Sequence, residues 1–230
     1  MKPILFSTEM VKAILADKKT QTRRVVKPKY INTHFKLVNG DLWEQENVPP
    51  PKRMPNGRTL LKVAATIIRK PRYEVNDILW VRETCAYFEC AAGAGYIYRA
   101  DENHNPTIEY CLPDRWKPAI HMPREAARIF LRVTEFKYEQ LQQISFGDCC
   151  AEGVYPIELI TGDENGILHG HAATNEFRDL WDSLYEKKDG GIYLWNKNPW
   201  VEAYTFERVD KPTLKAAADR VDQPILASAT

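Results

Sequence analysis

Alternation of apolar and polar residues is the main pattern along this chain. Because successive side chains of a β-strand point to opposite faces, alternating segments predict half-buried strands. The longest alternation lies at residues 129–138 (IFLRVTEFKY), and residues 199–209 (PWVEAYTFERV) repeat it. Shorter segments predict further strands at 2–6, 60–68, 75–83 and 96–100. In the segment 75–83, a turn precedes the strand.

Helical spacing is confined to three segments. The clearest lies at 174–185, where four apolar side chains share one face: Phe177, Leu180, Trp181 and Leu184. We expect Trp181 in the core for this reason. Residues 8–16 predict a short amphipathic helix that ends near Asp17. Ser145 can cap a third helix over 148–152, and Gly153 suits the position after its end.

Loops rich in Pro and Gly separate these elements. Residues 28–58 contain five prolines and two glycines, and Asn39-Gly40 predicts a tight hairpin turn. Several short strands, few helices and long polar loops predict an α+β fold, in which helices pack outside a small β-barrel or curled sheet. We expect one domain over 1–209, with an insertion at about 28–70 and a loosely attached tail at 210–230.

Composition excludes several classes of protein. Of the residues, 44% are apolar and 27% charged, which is ordinary for a globular protein. No apolar run approaches the roughly 18 residues of a membrane helix, and no signal-peptide pattern is present, so we expect a cytoplasmic protein without a membrane partner. The five cysteines form no CxxC pair and suggest no disulfide framework. GxGxxG, Walker, HExxH and GxSxG motifs are absent, so no cofactor or metal is expected.

Charge is distributed unevenly along the chain. Residues 1–72 contain 16 Lys or Arg against 5 Asp or Glu, whereas residues 73–230 contain 16 against 26. A basic segment of this kind can bind a nucleic acid or a nucleotide. The alternative is that the basic and acidic parts neutralise each other within the fold.

The densest group of reactive side chains follows the first predicted helix. Residues 17–24 (DKKTQTRR) bring two ammonium, two hydroxyl and two guanidinium groups together, on a loop that we expect to carry Lys19 and Thr22. Basic residues after a helix are commonly solvated and favoured by the negative end of the helix dipole. We expect that simpler explanation to hold for Lys18 and Arg23.

Four motifs in this order resemble the ASCH domain, a member of the PUA-like β-barrel superfamily. They are the helix followed by 19–24 (KTQTRR), then 75–83 (VNDILWVRE), 144–153 (ISFGDCCAEG) and 201–209 (VEAYTFERV). The block 121–124 (HMPR) is similar to larger ASCH proteins of phages and prophages. The resemblance extends from residue 1 to about 209, with weakly matched insertions at 30–70 and 160–172, and it implies a PUA-like barrel.

The resemblance also implies an activity. ASCH proteins are generally taken to bind RNA or modified nucleosides, and one bacterial branch hydrolyses the amide of N4-acetylcytidine. Its catalytic Lys and Thr lie in a K-T-x-T motif, which falls on Lys19 and Thr22 here, with the following basic residue at Arg24. Its Glu, from an acidic helix after the central strand, falls on Glu152.

Amide hydrolysis requires a nucleophile, a base and donors for the developing oxyanion. Lys19 can act as the base only if burial or neighbouring cations lower its pKa, whereas a nearby Glu152 raises that pKa. Two assignments therefore stay open. Either Thr22 attacks the amide after losing its proton, or Glu152 activates a water molecule and Thr22 hydrogen-bonds the substrate.

Other side chains are expected to contact the substrate. Arg82 can bind a base edge or a phosphate, although a structural salt bridge is the alternative. Glu83 is a second carboxylate that can serve as the acid or base. Tyr98 and Trp116 can stack on a pyrimidine. His121 can contact the base, although single histidines are more often structural.

Three functions follow as hypotheses. The first is an amidohydrolase for N4-acylated cytosine nucleosides or related modified bases. The second is a non-catalytic RNA- or DNA-binding module, with RNA the favoured partner. The third is a ribonuclease that uses the same basic and acidic groups.

Overall fold

A computed structural model of the chain describes residues 1–29, 33–47, 52–53, 59–60, 64–90, 93–101, 115–154 and 166–212. The fold is mixed α+β, which confirms the predicted class. The chain divides into two compact units. The Arg128 unit comprises Met1–Thr8, Ile78–Arg132 and the segment from Glu207, and the Lys19 unit comprises Glu9–Asp77 and Val133–Phe206.

Strands supply most of the regular structure. In chain order they are β1 (Lys2–Leu5), β2 (Gln21–Val25), β3 (Thr33–Val38), β4 (Asp41–Glu46), β5 (Lys52–Arg53), β6 (Thr59–Leu60), β7 (Thr66–Ile68), β8 (Ile78–Arg82), β9 (Cys85–Cys90), β10 (Gly93–Tyr98), β11 (Phe130–Gln140) and β12 (Trp200–Val209). The α-helices are α1 (Thr8–Leu15), α2 (Phe146–Ala151) and α3 (Gly166–Tyr185). Short 3₁₀ turns cover Ala119–His121, Arg124–Ala126, Leu141–Gln143, Asp189–Gly191 and Trp195–Lys197.

In the Arg128 unit, β8 is the central strand. It pairs in parallel with β1 and antiparallel with the first residues of β11, where Trp80 lies opposite Phe130. A hairpin of β9 and β10 accompanies this sheet. Burial of apolar surface stabilises the unit through one cluster: Trp80, Cys85, Met122, Ala126, Ala127 and Phe130.

In the Lys19 unit, β2 pairs antiparallel with β12, so that Thr22 lies opposite Tyr204. A second sheet has the order β3-β4-β7, and its hairpin turns at Asn39 and Gly40, both with positive φ. The predicted hairpin is therefore confirmed. One core packs α2 and α3 against β2 and β12, and a smaller one contains Val26, Leu42 and Tyr138.

Local signals explain where two helices of the Lys19 unit begin or end. Ser145 caps α2 and exchanges hydrogen bonds with Asp148, which forms a capping box. Asp17, with φ of 54°, ends the turn that follows α1. In α3, Ala173, Phe177 and Trp181 recur every four residues and are all buried, as helical spacing requires. Trp181 is a core residue, as predicted.

Several boundaries differ from the sequence-based expectation. The strands predicted at 129–138 and 199–209 are confirmed as β11 and β12, but β9 was not predicted, and α3 begins eight residues before the predicted helix. Within each unit, the described strands do not close into a barrel. Cys85, Cys149 and Cys150 are free thiols, and Cys90 is disulfide-bonded. The predicted tail lies outside the described residues from 213 onward.

Membrane insertion through a helix has no support in the described ranges, where no helix is both long and apolar enough to cross a bilayer.

Candidate active site

Lys19 is held in the Lys19 unit by the backbone on both sides of it. Its own N–H donates to Ala13 O at 3.1 Å, and the N–H of Thr20 donates to Ala151 O at 2.8 Å. The side chain is buried, and Nζ donates to Glu152 Oε2 at 2.6 Å and to the Glu152 carbonyl at 2.8 Å. The loop after α1 is thus joined directly to the end of α2.

Glu152 is the C-cap residue of α2, and Gly153 follows it with φ of +90°. A Cβ at Gly153 would lie 3.2 Å from Ala13 Cβ and 3.4 Å from Lys19 Cβ. Glycine is needed here for two reasons, because the backbone is left-handed and because the neighbouring chain is close. The helix end therefore brings Glu152 onto Lys19.

Replacing Gly153 by Ala is expected to lower the free energy of unfolding by about 1–3 kcal/mol. The Ala would be strained by the left-handed backbone, and its Cβ would lie too close to the neighbouring chain. Gly147→Ala is the matched control. Gly147 lies inside α2 with ordinary φ, and its Cβ would meet only Ser145 Oγ at 3.9 Å. Helix propensity then predicts a gain of about 0.5–1 kcal/mol. Urea unfolding measures both, and equal effects of the two variants would contradict this account.

Arg23 is the second buried cation of the site, with an exposed fraction of 4%. Its Nε donates to Glu139 Oε1 at 2.8 Å, and its Nη1 donates to Glu152 Oε1 at 3.2 Å. Its Nη2 lies 3.3 Å from Asp148 Oδ2, an ion-pair distance without hydrogen-bond geometry. The expectation that Arg23 is solvated background charge is wrong.

Electrostatic effects on Lys19 oppose one another. Burial lowers the pKa of Lys19 most strongly, because it disfavours the charged form. Glu152 raises that pKa, and Arg24 and Arg23 lower it further, so that the net direction is downward. For Arg23, burial also lowers the pKa, but Glu152, Glu139 and Asp148 outweigh it and raise the pKa above its usual value.

A small open pocket of about 30 Å³ lies beside the ion pair. Its polar lining includes Thr22, Arg24 and Glu152. The apolar wall comes mainly from α3: Phe177, Leu180, Trp181, Leu184 and Tyr185. The rings of Trp181 and Tyr185 lie 4.6 Å apart, which gives the pocket an aromatic side.

Four of the predicted site residues belong to the Lys19 unit: Lys19, Thr22, Arg24 and Glu152. Three of them line the pocket, and Lys19 contacts Glu152. Thr22 lies in strand β2, so the expectation of a loop at that residue is wrong. Its burial follows from the pairing of β2 with β12.

The remaining predicted residues belong to the Arg128 unit. Glu83 is buried and binds the Arg128 guanidinium through both oxygens, at 2.9 and 3.0 Å. Arg128 also binds Asp101 at 2.8 Å, so Glu83 has a structural ion pair. Burial raises the pKa of Glu83, against the hydrogen bonds from Arg128.

Tyr98 also has structural partners in this unit. Its hydroxyl donates to Ala126 O at 2.7 Å, and the Arg128 guanidinium carbon lies 3.9 Å from its ring centroid. One ring face is therefore already covered. Burial raises the pKa of Tyr98 to about 12. Its predicted stacking on a pyrimidine stays a prediction.

Three further predicted contacts lie on the same unit. Arg82 shares a face with Trp80, 5.5 Å from its ring centroid, and donates to Ile120 O. Trp116 is half-buried and His121 is exposed. Their predicted roles as substrate contacts stay predictions.

Sequence reasoning missed the residues that surround the catalytic candidates. Glu139 and Asp148 hold Arg23, and Tyr185 forms part of the pocket wall. One signal was available for Asp148, because it follows Ser145 at the spacing of a capping box. Glu139 and Tyr185 lack such a signal, since only folding brings β11 and α3 to β2.

No group of His, Cys, Asp and Glu suited to a metal ion occurs among the described residues. Comparison with protein-family models, curated proteins and solved structures finds no match for the chain. The function proposed below therefore rests on the site geometry and on the sequence motifs.

Proposed function

We propose that this protein hydrolyses the amide of N4-acylated cytosine nucleosides or related modified bases. One observation carries the proposal: Lys19 Nζ lies 2.6 Å from Glu152 Oε2 in a buried pair, beside a pocket that Thr22 and Glu152 line together. The order of motifs supports the same activity through its resemblance to the ASCH domain. That resemblance also makes a PUA-like barrel the proposed fold.

The pocket chemistry suits a planar, polar substrate. A pyrimidine ring can lie along the apolar wall of α3, where Tyr185 is half-buried. Stacking of a base on an aromatic ring contributes about 1–3 kcal/mol in single-strand binding proteins. Arg24 lines the same pocket and can stabilise the oxyanion that forms at the acyl carbon.

The reaction breaks the bond between the acyl carbon and N4 of the base. Water supplies the hydroxyl group of the released carboxylic acid and one of the two hydrogens on the released amine. Glu152 lines the pocket and is suited to take a proton from water and deliver one to N4. Lys19 donates to the carboxylate and to the carbonyl of Glu152, which suits a residue that orients the carboxylate.

The alternative route uses Thr22 as the nucleophile. Here burial, which lowers the pKa of Lys19, favours the neutral amine that this route needs as its base. Thr22 Oγ then forms an ester with the acyl group, N4 leaves as the protonated amine, and water hydrolyses the ester. Both routes consume one water molecule and give the same products.

The test is turnover of N4-acetylcytidine by the purified protein, with release of cytidine and acetate followed by chromatography. N4-methylcytidine is the matched control, since it carries a substituent at N4 but no amide. We expect hydrolysis of the first compound only, with loss in a Lys19→Ala, Thr22→Ala double variant. No turnover across a panel of N4-acyl cytidines would overturn the proposal.

Mass spectrometry of the reacting protein distinguishes the two routes. An acetyl group trapped on Thr22 by rapid acid quenching supports covalent catalysis. Thr22→Ala with substantial remaining turnover supports direct attack by water.

A further inference from the structure

We infer that Arg23 is the positioning residue of the site, fixing the carboxylate of Glu152 against Lys19. The inference rests on the proposed function for its catalytic meaning, but its structural claim concerns the Lys19–Glu152 pair alone. From the sequence, Arg23 was expected to be background charge. The contacts of its three guanidinium nitrogens point to this positioning role.

The guanidinium of Arg23 also has partners other than Glu152. Glu139 on β11 accepts from Nε at 2.8 Å, and Asp148 on α2 lies 3.3 Å from Nη2. Gln21 Oε1 lies 3.2 Å from Nη1, the same atom that reaches Glu152. Since Arg has a rigid planar fork, these contacts restrict where Nη1 can lie.

The two oxygens of Glu152 are thereby assigned to different cations. Oε1 accepts from Arg23 Nη1 at 3.2 Å, and Oε2 accepts from Lys19 Nζ at 2.6 Å. A carboxylate bound through both oxygens cannot rotate without losing one of the two contacts. Arg23 therefore sets the plane of the Glu152 carboxylate, and its positive charge opposes protonation of Lys19.

A purely structural ion pair is the competing explanation, and Arg69 provides the matched control. Arg69 Nη1 lies 3.1 Å from Glu44, a carboxylate that is fully buried in the same unit. Arg69→Gln removes the guanidinium from Glu44, and Arg23→Gln removes it from Glu152 as well as from Glu139 and Asp148. Only Arg23→Gln should change the pKa of Lys19.

The experiment measures the titration of Lys19 by NMR in protein labelled with ¹³C-lysine, with the signal assigned from its absence in Lys19→Arg. In Arg23→Gln, we expect the Lys19 midpoint to rise by about one pH unit, because a nearby cation is lost and Glu152 is free to pair more closely. In Arg69→Gln it should stay at the wild-type value. Equal midpoints in wild type and Arg23→Gln would overturn the inference.

Arg23→Lys separates position from charge. It keeps the positive charge but loses the planar fork, so the Lys19 midpoint should return close to the wild-type value. With N4-acetylcytidine, kcat should fall about tenfold or more, while KM changes by about twofold or less, because the orientation of Glu152 is lost. An Arg23→Lys variant with wild-type kcat would refute the positioning role.

Two measures keep these outcomes interpretable. If Arg23→Gln fails to fold, the Arg23→Gln, Glu139→Gln double variant replaces the ion pair by two neutral amides that can hydrogen-bond. The titration needs no substrate. A shifted Lys19 midpoint in a protein that hydrolyses no N4-acyl cytidine would therefore support the role of Arg23 and reject the proposed function separately.

Discussion

Glu152→Gln is expected to slow hydrolysis of N4-acetylcytidine by about 10³-fold, because Gln cannot accept and return a proton at the scissile amide. Gln keeps the size of Glu and one carbonyl oxygen that can accept from Lys19. Steady-state kinetics of kcat/KM measure the effect. The loss should appear mainly in kcat, since the proton transfer occurs only in the reaction step.

Glu202→Gln is the matched control for this result. Glu202 is also a buried carboxylate of the Lys19 unit, and it accepts a hydrogen bond from the Tyr204 hydroxyl at 2.8 Å. It does not line the pocket. We expect its kcat/KM to stay within about threefold of wild type. If the two variants lost activity equally, general destabilisation would explain both, and Glu152 would not be the catalytic carboxylate.

Lys19→Met is expected to lower the free energy of unfolding by about 3–5 kcal/mol, because it leaves the buried carboxylate of Glu152 without its nearest cation. The exposed fraction of the Lys19 side chain is 0%, against 6% for Glu152, so water cannot replace the lost partner without rearrangement. Chemical denaturation in urea measures the change. Lys18→Met is the control, since Lys18 is exposed and should change stability by less than about 0.5 kcal/mol.

The Lys19→Met, Glu152→Leu double variant tests whether the loss comes from an unpaired charge. Removal of both partners should recover a substantial part of the stability, because replacing a buried ion pair by apolar groups is often neutral. The double-mutant cycle then gives a coupling energy of about 1–3 kcal/mol. Strictly additive losses would show that Lys19 and Glu152 do not interact as the structure has them.

The uneven charge of the chain finds a partial explanation in the fold. Arg23 comes from the basic first part of the sequence, yet it is buried against Glu139, Asp148 and Glu152 from the acidic part. Lys19 likewise pairs with Glu152. These cations are neutralised internally and are not part of a surface for nucleic acid. They are two of the 16 Lys and Arg residues in the first 72 positions.

Local features of the Lys19 unit could be predicted well from the residues alone. Ser145 marked the beginning of α2 and Gly153 its end, because capping and left-handed backbone depend on residues a few positions apart. The same holds for the hairpin at Asn39 and Gly40. Glu152 was found through its place in a motif, and its position at the helix end follows from Gly153.

Non-local features escaped prediction for a physical reason. Arg23 and Lys18 both belong to the basic segment 17–24. No local pattern shows that Arg23 is buried and Lys18 exposed. The difference arises because β2 pairs with β12, which places Arg23 beside carboxylates more than 110 residues away in the chain. Periodicity within β2 carries no information about what lies opposite it.

The amino-acid sequence by itself determined the α+β class, the helix caps, the turns and the chemical groups available around Lys19 and Thr22. Each of these depends on backbone preferences or side-chain types within a few residues. The tertiary structure alone decided that Lys19 donates to Glu152, that Arg23 holds the other oxygen of the same carboxylate, and that α3 forms the apolar wall of the pocket. Those contacts join segments distant in the chain, and only burial against a common core brings their charges together.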